Sequence, residues 1–289
     1  MRGRKGSRSK ATVASRREAE EFLGRVGVLA DEEIDLAESA MAFAVLDHPE
    51  EDLALYRTHL TQLARDVGDL IDPDDDTLDD RIAALQEVLI ARHGYQGDQL
   101  TYDDIQNGNL LRVIDRRRGL PVALGILFLH TARALGWSMA GLNFPGHFLV
   151  RLECDGERAI LDPFNEGQVR TAADLRELIK ATVGVDAELT PEYYAEVGNR
   201  DILLRLQNNI KLRFLKADRI DKAIDTVEGM LLVAPEEPAL WREAGLLHAH
   251  QSHLPEAITA LEVFLRIGTD ERALHQAATL VQQLKNRIL

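Results

Sequence analysis

The stretch that decides the fold spans residues 116–167 and reads RRRGLPVALGILFLHTARALGWSMAGLNFPGHFLVRLECDGERAILDPFNEG. From Pro121 to Leu135 it is apolar on nearly every side, which predicts a helix enclosed in a core rather than an amphipathic surface helix. Pro121 suits the first helical position, where its missing N–H would have no partner, and Gly136 ends the helix. The run is too short, and is interrupted by too many polar residues, to span a membrane.

The second part of the stretch predicts a β-hairpin. Two runs rich in Phe, Leu, Val and Ile, the first starting at His147 and the second ending at Asp162, are separated by Asp155-Gly156. Asp-Gly between such runs is a strong hairpin signal, and as turn residues they make Cys154 pair with Glu157. His147 and Asp162 then become diagonal neighbours on one face, about 7 Å apart between backbones, so their side chains can form a hydrogen bond.

A hydrogen-bonded imidazole and carboxylate have a known use in catalysis. The carboxylate fixes the tautomer of the imidazole and stabilises its charged form, which is the orienting half of a nucleophile, base and acid triad. His147 and Asp162 are therefore the candidate catalytic pair. The pair can equally be structural, because buried polar groups need hydrogen-bond partners.

The same residues resemble a known family. The pattern RRRGLPVALGILFLHTARALGW, followed by GLNFPGHFLVR and ILDPFNEG, resembles the SirB1-type branch of the transglutaminase-like superfamily. The resemblance implies a bacterial protein of the α+β class with a papain-like core, a buried helix plus antiparallel strands. In that family a Cys opens the buried helix, a His begins the next strand and an Asp lies on the strand after. His147 and Asp162 match the His and Asp positions.

The Cys position of the family does not match. Counting back from the turn that ends the helix puts the nucleophile at about Pro121, and its neighbours carry no thiol or hydroxyl. The only cysteine, Cys154, lies some 20 Å along the strand from His147, at ~3.3 Å per residue. Acyl transfer needs a thiolate beside its base. We therefore expect a non-catalytic relative whose cleft, lined by Pro121, Asn143 and Asn165, still binds a peptide or small ligand.

Composition bounds the class of protein. The 289 residues, 45% hydrophobic and 28% charged, predict about two soluble domains. One cysteine excludes an internal disulfide and a Cys-based zinc site, so we expect a reducing, cytoplasmic location and neither a metal nor another cofactor. The net charge of −14 argues against general affinity for nucleic acid.

The chain divides into three predicted parts. Residues 1–17 carry seven positive charges and no acid, which indicates a disordered tail or an arm that touches RNA, anionic lipid or the protein's own acidic surface. Residues 18–197 form the transglutaminase-like domain with its N-terminal helices. Within it, Arg116, Arg117 and Arg118 are either a solvated helix end or an anion site before the buried helix.

Residues 198–289 predict an all-α repeat unit. The segment around Ala223 matches the segment around Ala257 at an offset of 34 residues, the period of a tetratricopeptide repeat. Lys211 replaces the usual glycine in the first copy, and residues 271–289 form a capping helix. Residues 204–289 are thus the predicted binding region for a protein or peptide partner, or alternatively a brace for the main domain.

Three functions remain open at this point. The first is an interaction or regulatory protein without catalytic activity, favoured by the empty nucleophile position. The second is a Cys-independent hydrolase in which His147 is the general base for a bound water and Asp162 orients it. The third is a nucleic-acid-associated factor acting through the basic tail and the three arginines, which the overall acidity disfavours.

Overall fold

A computed structural model of the protein describes residues 15–49 and 51–288. It has the predicted α+β architecture, a helix enclosed by other helices and an antiparallel sheet, followed by an all-helical unit. The helices are α1 (Arg16–Val26), α2 (Leu36–Asp47), α3 (Leu53–Gly68), α4 (Leu78–Leu85), α5 (Leu110–Arg116), α6 (Pro121–Ala134), α7 (Ala172–Thr182), α8 (Asn199–Lys216), α9 (Ile220–Val233), α10 (Pro238–His250), α11 (Leu254–Ile267) and α12 (Glu271–Ile288).

Helix α6 is the centre of the main domain. Pro121 occupies its first turn, its residues are buried continuously from Pro121 to Leu129, and Gly136 follows in a left-handed conformation at φ 76°. The helix and both of its end signals are as predicted. Gly125 is required where α6 meets the loop before β4, because a Cβ there would overlap the ring of Phe148.

The strands form two sheets. They are β1 (Gln96–Gly97), β2 (Arg118–Gly119), β3 (Ser138–Leu142), β4 (Val150–Cys154), β5 (Glu157–Asp162), β6 (Gln168–Val169) and β7 (Glu196–Val197). Strands β1 and β2 pair in parallel, while the larger sheet has the order β6-β5-β4-β3-β7 and is antiparallel throughout.

The predicted hairpin is confirmed in its register. Cys154 pairs with Glu157 across the turn, and Val150 pairs with Leu161 further along. The first strand was wrongly expected to start at His147, since β4 begins only at Val150. The cause is the turn at Pro145-Gly146, where Gly146 has φ 69°. Because of this turn the backbone becomes extended and pairs with its neighbouring strands only from Val150.

The N-terminal helices begin where side chains cap them. Ser15 and Glu18 form a capping box at the start of α1, so Arg16 and Arg17, which the sequence placed in the basic tail, belong to a helix. The rest of that predicted tail, residues 1–14, lies outside the described residues. Thr77 and Asp80 form a capping box at the start of α4, which continues as a π-helical segment, Gln86–Arg92.

Helices α8 to α12 form the repeat unit. Helices α9 and α11 begin 34 residues apart, at Ile220 and Leu254. Lys211, at the position of the usual glycine, is buried and forms an ion pair with Glu243 at 2.6 Å, which links α8 to α10.

The repeat unit and the main domain share a core. Apolar residues of α8 and α9 pack in the same cluster as α6, whereas α11 and α12 have a smaller cluster of their own. Asp31 accepts hydrogen bonds from the backbone N–H groups of Asn199 and Arg200, at 2.6 and 2.9 Å, and so caps α8 from a distant loop. Within the described ranges, no helix is both long and apolar enough to cross a membrane.

Candidate functional site

The candidate site lies where the loop between β3 and β4 approaches the end of β5. Phe148, immediately after His147, is buried against α6, which anchors the loop on one side. On the other side Arg205 of α8 donates hydrogen bonds to the carbonyl oxygens of Phe144 and His147, at 3.1 and 2.6 Å. Burial lowers the pKa of Arg205, and its guanidinium lies over the Phe148 ring. The His147 loop is thus held between the buried helix and the first repeat helix.

His147 and Asp162 form the predicted hydrogen bond. Nε2 of His147 and Oδ1 of Asp162 are 2.8 Å apart. The side chain of Asp162 is fully buried, whereas that of His147 keeps 11% of its surface exposed. A buried carboxylate therefore supports an imidazole that solvent can still reach.

Asp162 is saturated with hydrogen bonds. Oδ2 accepts from Nδ2 of Asn165 at 2.8 Å and from Nε and Nη2 of Arg170 at 3.0 and 2.8 Å, and Oδ1 also accepts from the backbone N–H of Phe164. Burial alone would raise the pKa of Asp162, but the bonds from His147, Asn165 and Arg170 outweigh it and lower the pKa to about 2. The carboxylate is consequently ionised at neutral pH.

The ionised carboxylate determines the tautomer of His147. A carboxylate can only accept, so Nε2 carries the proton, and the lone pair of the neutral ring lies on Nδ1. Nδ1 makes no hydrogen bond with any of the described residues. The arrangement can therefore accept a proton at Nδ1 and stabilise the resulting imidazolium, which is what a general base requires.

The positions expected to supply a nucleophile do not supply one. Pro121 is buried at the start of α6 and has neither a reactive group nor an N–H. Cys154 is buried at the far end of the hairpin, with Sγ 3.6 Å from the carbonyl oxygen of Asp76. Burial raises the pKa of its thiol, so Cys154 is both remote from His147 and poorly ionised.

The predicted cleft residues are not brought together. Asn165 lines a cleft of about 450 Å³ between the β1–β2 pair and the turn after β5. Pro121 is buried and does not line this cleft, and Asn143 is an exposed residue whose backbone N–H binds the carbonyl oxygen of Ala195. The β1–β2 pair, which forms one wall of this cleft, was not predicted from the sequence.

The three arginines before α6 have separate roles. Arg116 lies 3.3 Å from Asp98 and binds Oδ1 of Asn107 at 3.1 Å, and Arg117 binds His59 and Tyr95. Only Arg118 is exposed without an ion pair among the described residues, and it lines the cleft beside Asn165. The run is neither a solvated helix end nor a shared anion site.

Sequence reasoning missed the residues that support the pair. Arg170 directly follows β6 and Arg205 lies on α8, at distances along the chain that no local pattern connects to His147. Phe164 packs edge-to-face on the His147 ring, with the ring centroids 6.0 Å apart. Its position directly after Asp162-Pro163 was the one available signal. The described chain holds no group of three or more His, Cys, Asp or Glu side chains arranged for a metal ion.

Comparison with known proteins agrees with this architecture. A family model described as the transglutaminase-like superfamily matches residues 54–208, and a tetratricopeptide repeat model matches residues 210–282, which confirms the predicted repeats. The UPF0162 protein of Xylella fastidiosa strain Temecula1 is 30% identical over 244 residues, covering 82% of this chain and 85% of that protein. The UPF0162 protein of Vibrio cholerae is 28% identical over 263 residues, 89% of this chain and 96% of that protein.

A more distant relative comes from outside bacteria. F-box only protein 21 of Pongo abelii is 28% identical over 212 residues, which are 69% of this chain but 33% of that protein. The matched region thus also occurs as one part of a much longer protein. The family match over more than half of the chain, together with these relatives, shows that the chain belongs to the transglutaminase-like superfamily. The UPF0162 proteins of bacteria are among its relatives.

Proposed function

We propose that this protein is a non-catalytic, cytoplasmic member of its superfamily that acts as a protein-interaction or regulatory factor. The observation that carries the proposal is the buried proline at the first turn of α6. Pro121 stands where the resemblance requires a nucleophile, and Cys154 is too remote to replace it. His147 and Asp162 are then a retained orienting pair with no nucleophile to activate.

The repeat unit supplies a surface for a protein partner. Leu212 of α8 and Leu246 of α10 are separated by one repeat period, and they keep 54% and 42% of their surfaces exposed. Leu280 of α12, one further period along, is partly buried. Equivalent positions of stacked repeats lie on a common face. An apolar row on that face fits the apolar side of a partner helix or of an extended peptide.

The length of the apolar row limits the length of the partner segment that it can bind. Two repeats and a capping helix are long enough to dock a short segment but not to wrap around one. Because α8 also holds the His147 loop through Arg205, a partner on this face lies on the same helix that supports the site. We infer that the interaction surface and the old catalytic loop are mechanically joined through α8.

The test is capture of partners by the tagged full chain in its native cells. We expect specific partners to be retained by the wild type and lost from the double variant L212E/L246E. The matched control is L55E, since Leu55 is an exposed leucine, 71% accessible, on α3 of the main domain. Partners that bind all three proteins equally, or none at all, would contradict recognition by the repeat row.

A second candidate function is hydrolysis without a cysteine. The specific observation in its favour is His147, whose Nδ1 makes no hydrogen bond with the described residues, whose side chain keeps 11% of its surface exposed and whose Nε2 is bound to an ionised carboxylate. A water held at Nδ1 would be the nucleophile. This candidate requires an ester or amide substrate that the wild type turns over and that H147A, with unchanged circular dichroism, does not. A wild type inert toward acyl substrates would rule it out.

A further inference from the structure

The cleft beside the candidate pair has two unlike walls. One wall is the β1–β2 pair, where Gln96 and Arg118 are register partners. The other is the turn from Phe164 to Gln168 that follows β5. The walls meet at Gly97, where a Cβ would overlap the carbonyl oxygen and the ring of Phe164. The resulting space of about 450 Å³ is enough for a ligand of a few amino-acid residues.

Each wall carries one unpaired charge. Arg118 on the first wall is exposed and has no ion pair within the described part of the chain. Its neighbours differ, because Arg116 pairs with Asp98 and the guanidinium of Arg117 is bound to His59 and Tyr95. Glu166 on the second wall is also exposed and unpaired among those residues, and its backbone is held in the left-handed conformation at φ 57°. The other acid of the cleft, Asp98, is buried and already bound to Thr101 and Arg116.

Between the two charges the lining is rich in amides. Gln96, Gln99 and Gln168 are exposed on the cleft, and each amide can both donate and accept. Asn165 uses Nδ2 for Asp162, so its Oδ1 remains an acceptor. Amide walls of this kind match the alternating donors and acceptors of a peptide backbone.

We propose that this cleft binds a zwitterionic ligand of the short-peptide class, with Arg118 pairing its carboxylate, Glu166 pairing its ammonium group and the amides pairing its peptide bonds. A guanidinium can grip a carboxylate through two parallel hydrogen bonds, which gives both strength and orientation. The ligand then lies against Phe164 and Asn165, which contact His147 and Asp162 respectively. Occupancy of the cleft is thereby connected to the candidate pair. The site is separate from the repeat row and does not rest on the proposed interaction function.

The experiment titrates the full chain with four forms of trialanine and follows backbone amide resonances by NMR. The forms are free trialanine, its N-acetyl derivative, its C-terminal amide, and the peptide capped at both ends. We expect free trialanine to bind most tightly and the doubly capped peptide least. R118Q weakens binding of the free peptide about tenfold and leaves the C-terminal amide unaffected, because a charge-assisted hydrogen bond is lost only where a carboxylate is present. E166Q should likewise weaken binding of the free peptide about tenfold, because the ammonium group loses its partner, and should leave binding of the N-acetyl form unaffected.

The controls are R158Q and E157Q, which neutralise exposed residues of β5 that do not line the cleft. They should bind free trialanine as the wild type does. Equal binding of all four peptides, no shift at concentrations up to about 10 mM, or equal weakening by the control variants would overturn the proposal. L212E/L246E should leave trialanine binding unchanged, so failure of the repeat row and failure of this cleft can be told apart.

Discussion

Two partly buried histidine clusters in the main domain each contain an arginine but differ in what that arginine contacts. In the first, His147 binds Asp162, which is held by Asn165 and Arg170. In the second, Nε2 of His59 lies 2.7 Å from both the Tyr95 hydroxyl and Nη1 of Arg117. Each cluster contains an imidazole and an arginine. The arginine contacts the carboxylate in the first cluster and the imidazole itself in the second.

This difference decides which imidazole can take up a proton. Since a guanidinium only donates, Nε2 of His59 must be unprotonated, and its lone pair is already used. Burial, Arg117 and His93 together lower the pKa of His59 to about 4. His147 has the opposite tautomer, with its lone pair free on Nδ1 and an ionised carboxylate behind it. One cluster is a structural clamp, and the other keeps the form of a general base.

The largest effect is expected from breaking the first cluster. D162A removes the fully buried acceptor shared by His147, Asn165 and Arg170 and leaves the partly buried guanidinium of Arg170 without its partner, which should destabilise the fold by about 3–5 kcal/mol. Urea denaturation of the full chain measures this change. E157A, an exposed acid on the same strand, should change the free energy of unfolding by less than about 0.5 kcal/mol. A D162A protein as stable as E157A would show that the cluster contributes little.

The His59 cluster should make the free energy of unfolding depend on pH. Because the pKa of His59 is lowered in the folded state, the unfolded chain binds an extra proton between about pH 6.5 and pH 4. The stability contributed by a neutral His59 is therefore fully present above pH 6.5 and is lost as the pH falls toward 4. We expect a loss of about 2 kcal/mol over this window, allowing for partial exposure of the ring.

H59Q tests the assignment of this pH dependence. Its unfolding free energy, measured at intervals between pH 7 and pH 4, should have a shallower slope than that of the wild type. The Asp162 contribution, with a pKa lowered to about 2, is lost only below about pH 4 and should be unchanged in H59Q. An identical slope in both proteins across the upper window would refute a neutral, clamped His59.

The smallest effect concerns the phenol of the clamp. Y95F removes a hydroxyl that is buried and hydrogen-bonded to His59 and Arg117, and we expect a loss of about 1 kcal/mol. Y102F is the matched control, because Tyr102 is 42% exposed. Thermal unfolding of both variants beside the wild type measures the difference. Equal midpoints for Y95F and Y102F would mean that the Tyr95 hydroxyl adds nothing to the clamp.

Features that depend on neighbouring residues could be predicted from the sequence, whereas features that depend on residues far apart in the chain could not. Continuous apolarity predicted α6, Asp155-Gly156 predicted the hairpin register, and that register brought His147 within reach of Asp162. Arg205 and the His59 cluster depend on contacts between distant segments, which no local pattern encodes. Arg170 lies 8 residues beyond Asp162, and no periodic pattern connects the two. Pro121 and Asn143 do not line the cleft beside Asn165. The β1–β2 pair that forms one wall of this cleft could not be predicted, because two-residue strands are too short to leave a periodic pattern.

The proposed function depends on an orienting pair that survives without its nucleophile. The most direct test supplies a thiol through P121C and measures its alkylation by iodoacetamide against pH, in P121C and in P121C/H147A. The wild type reports the slow background of buried Cys154. We predict that the introduced thiol ionises at least about one unit below the ordinary value near 8.5, because His147 pairs with the thiolate, and that H147A removes this shift. The same alkylation profile in both variants would contradict the claim, since the pair would then not face the start of α6.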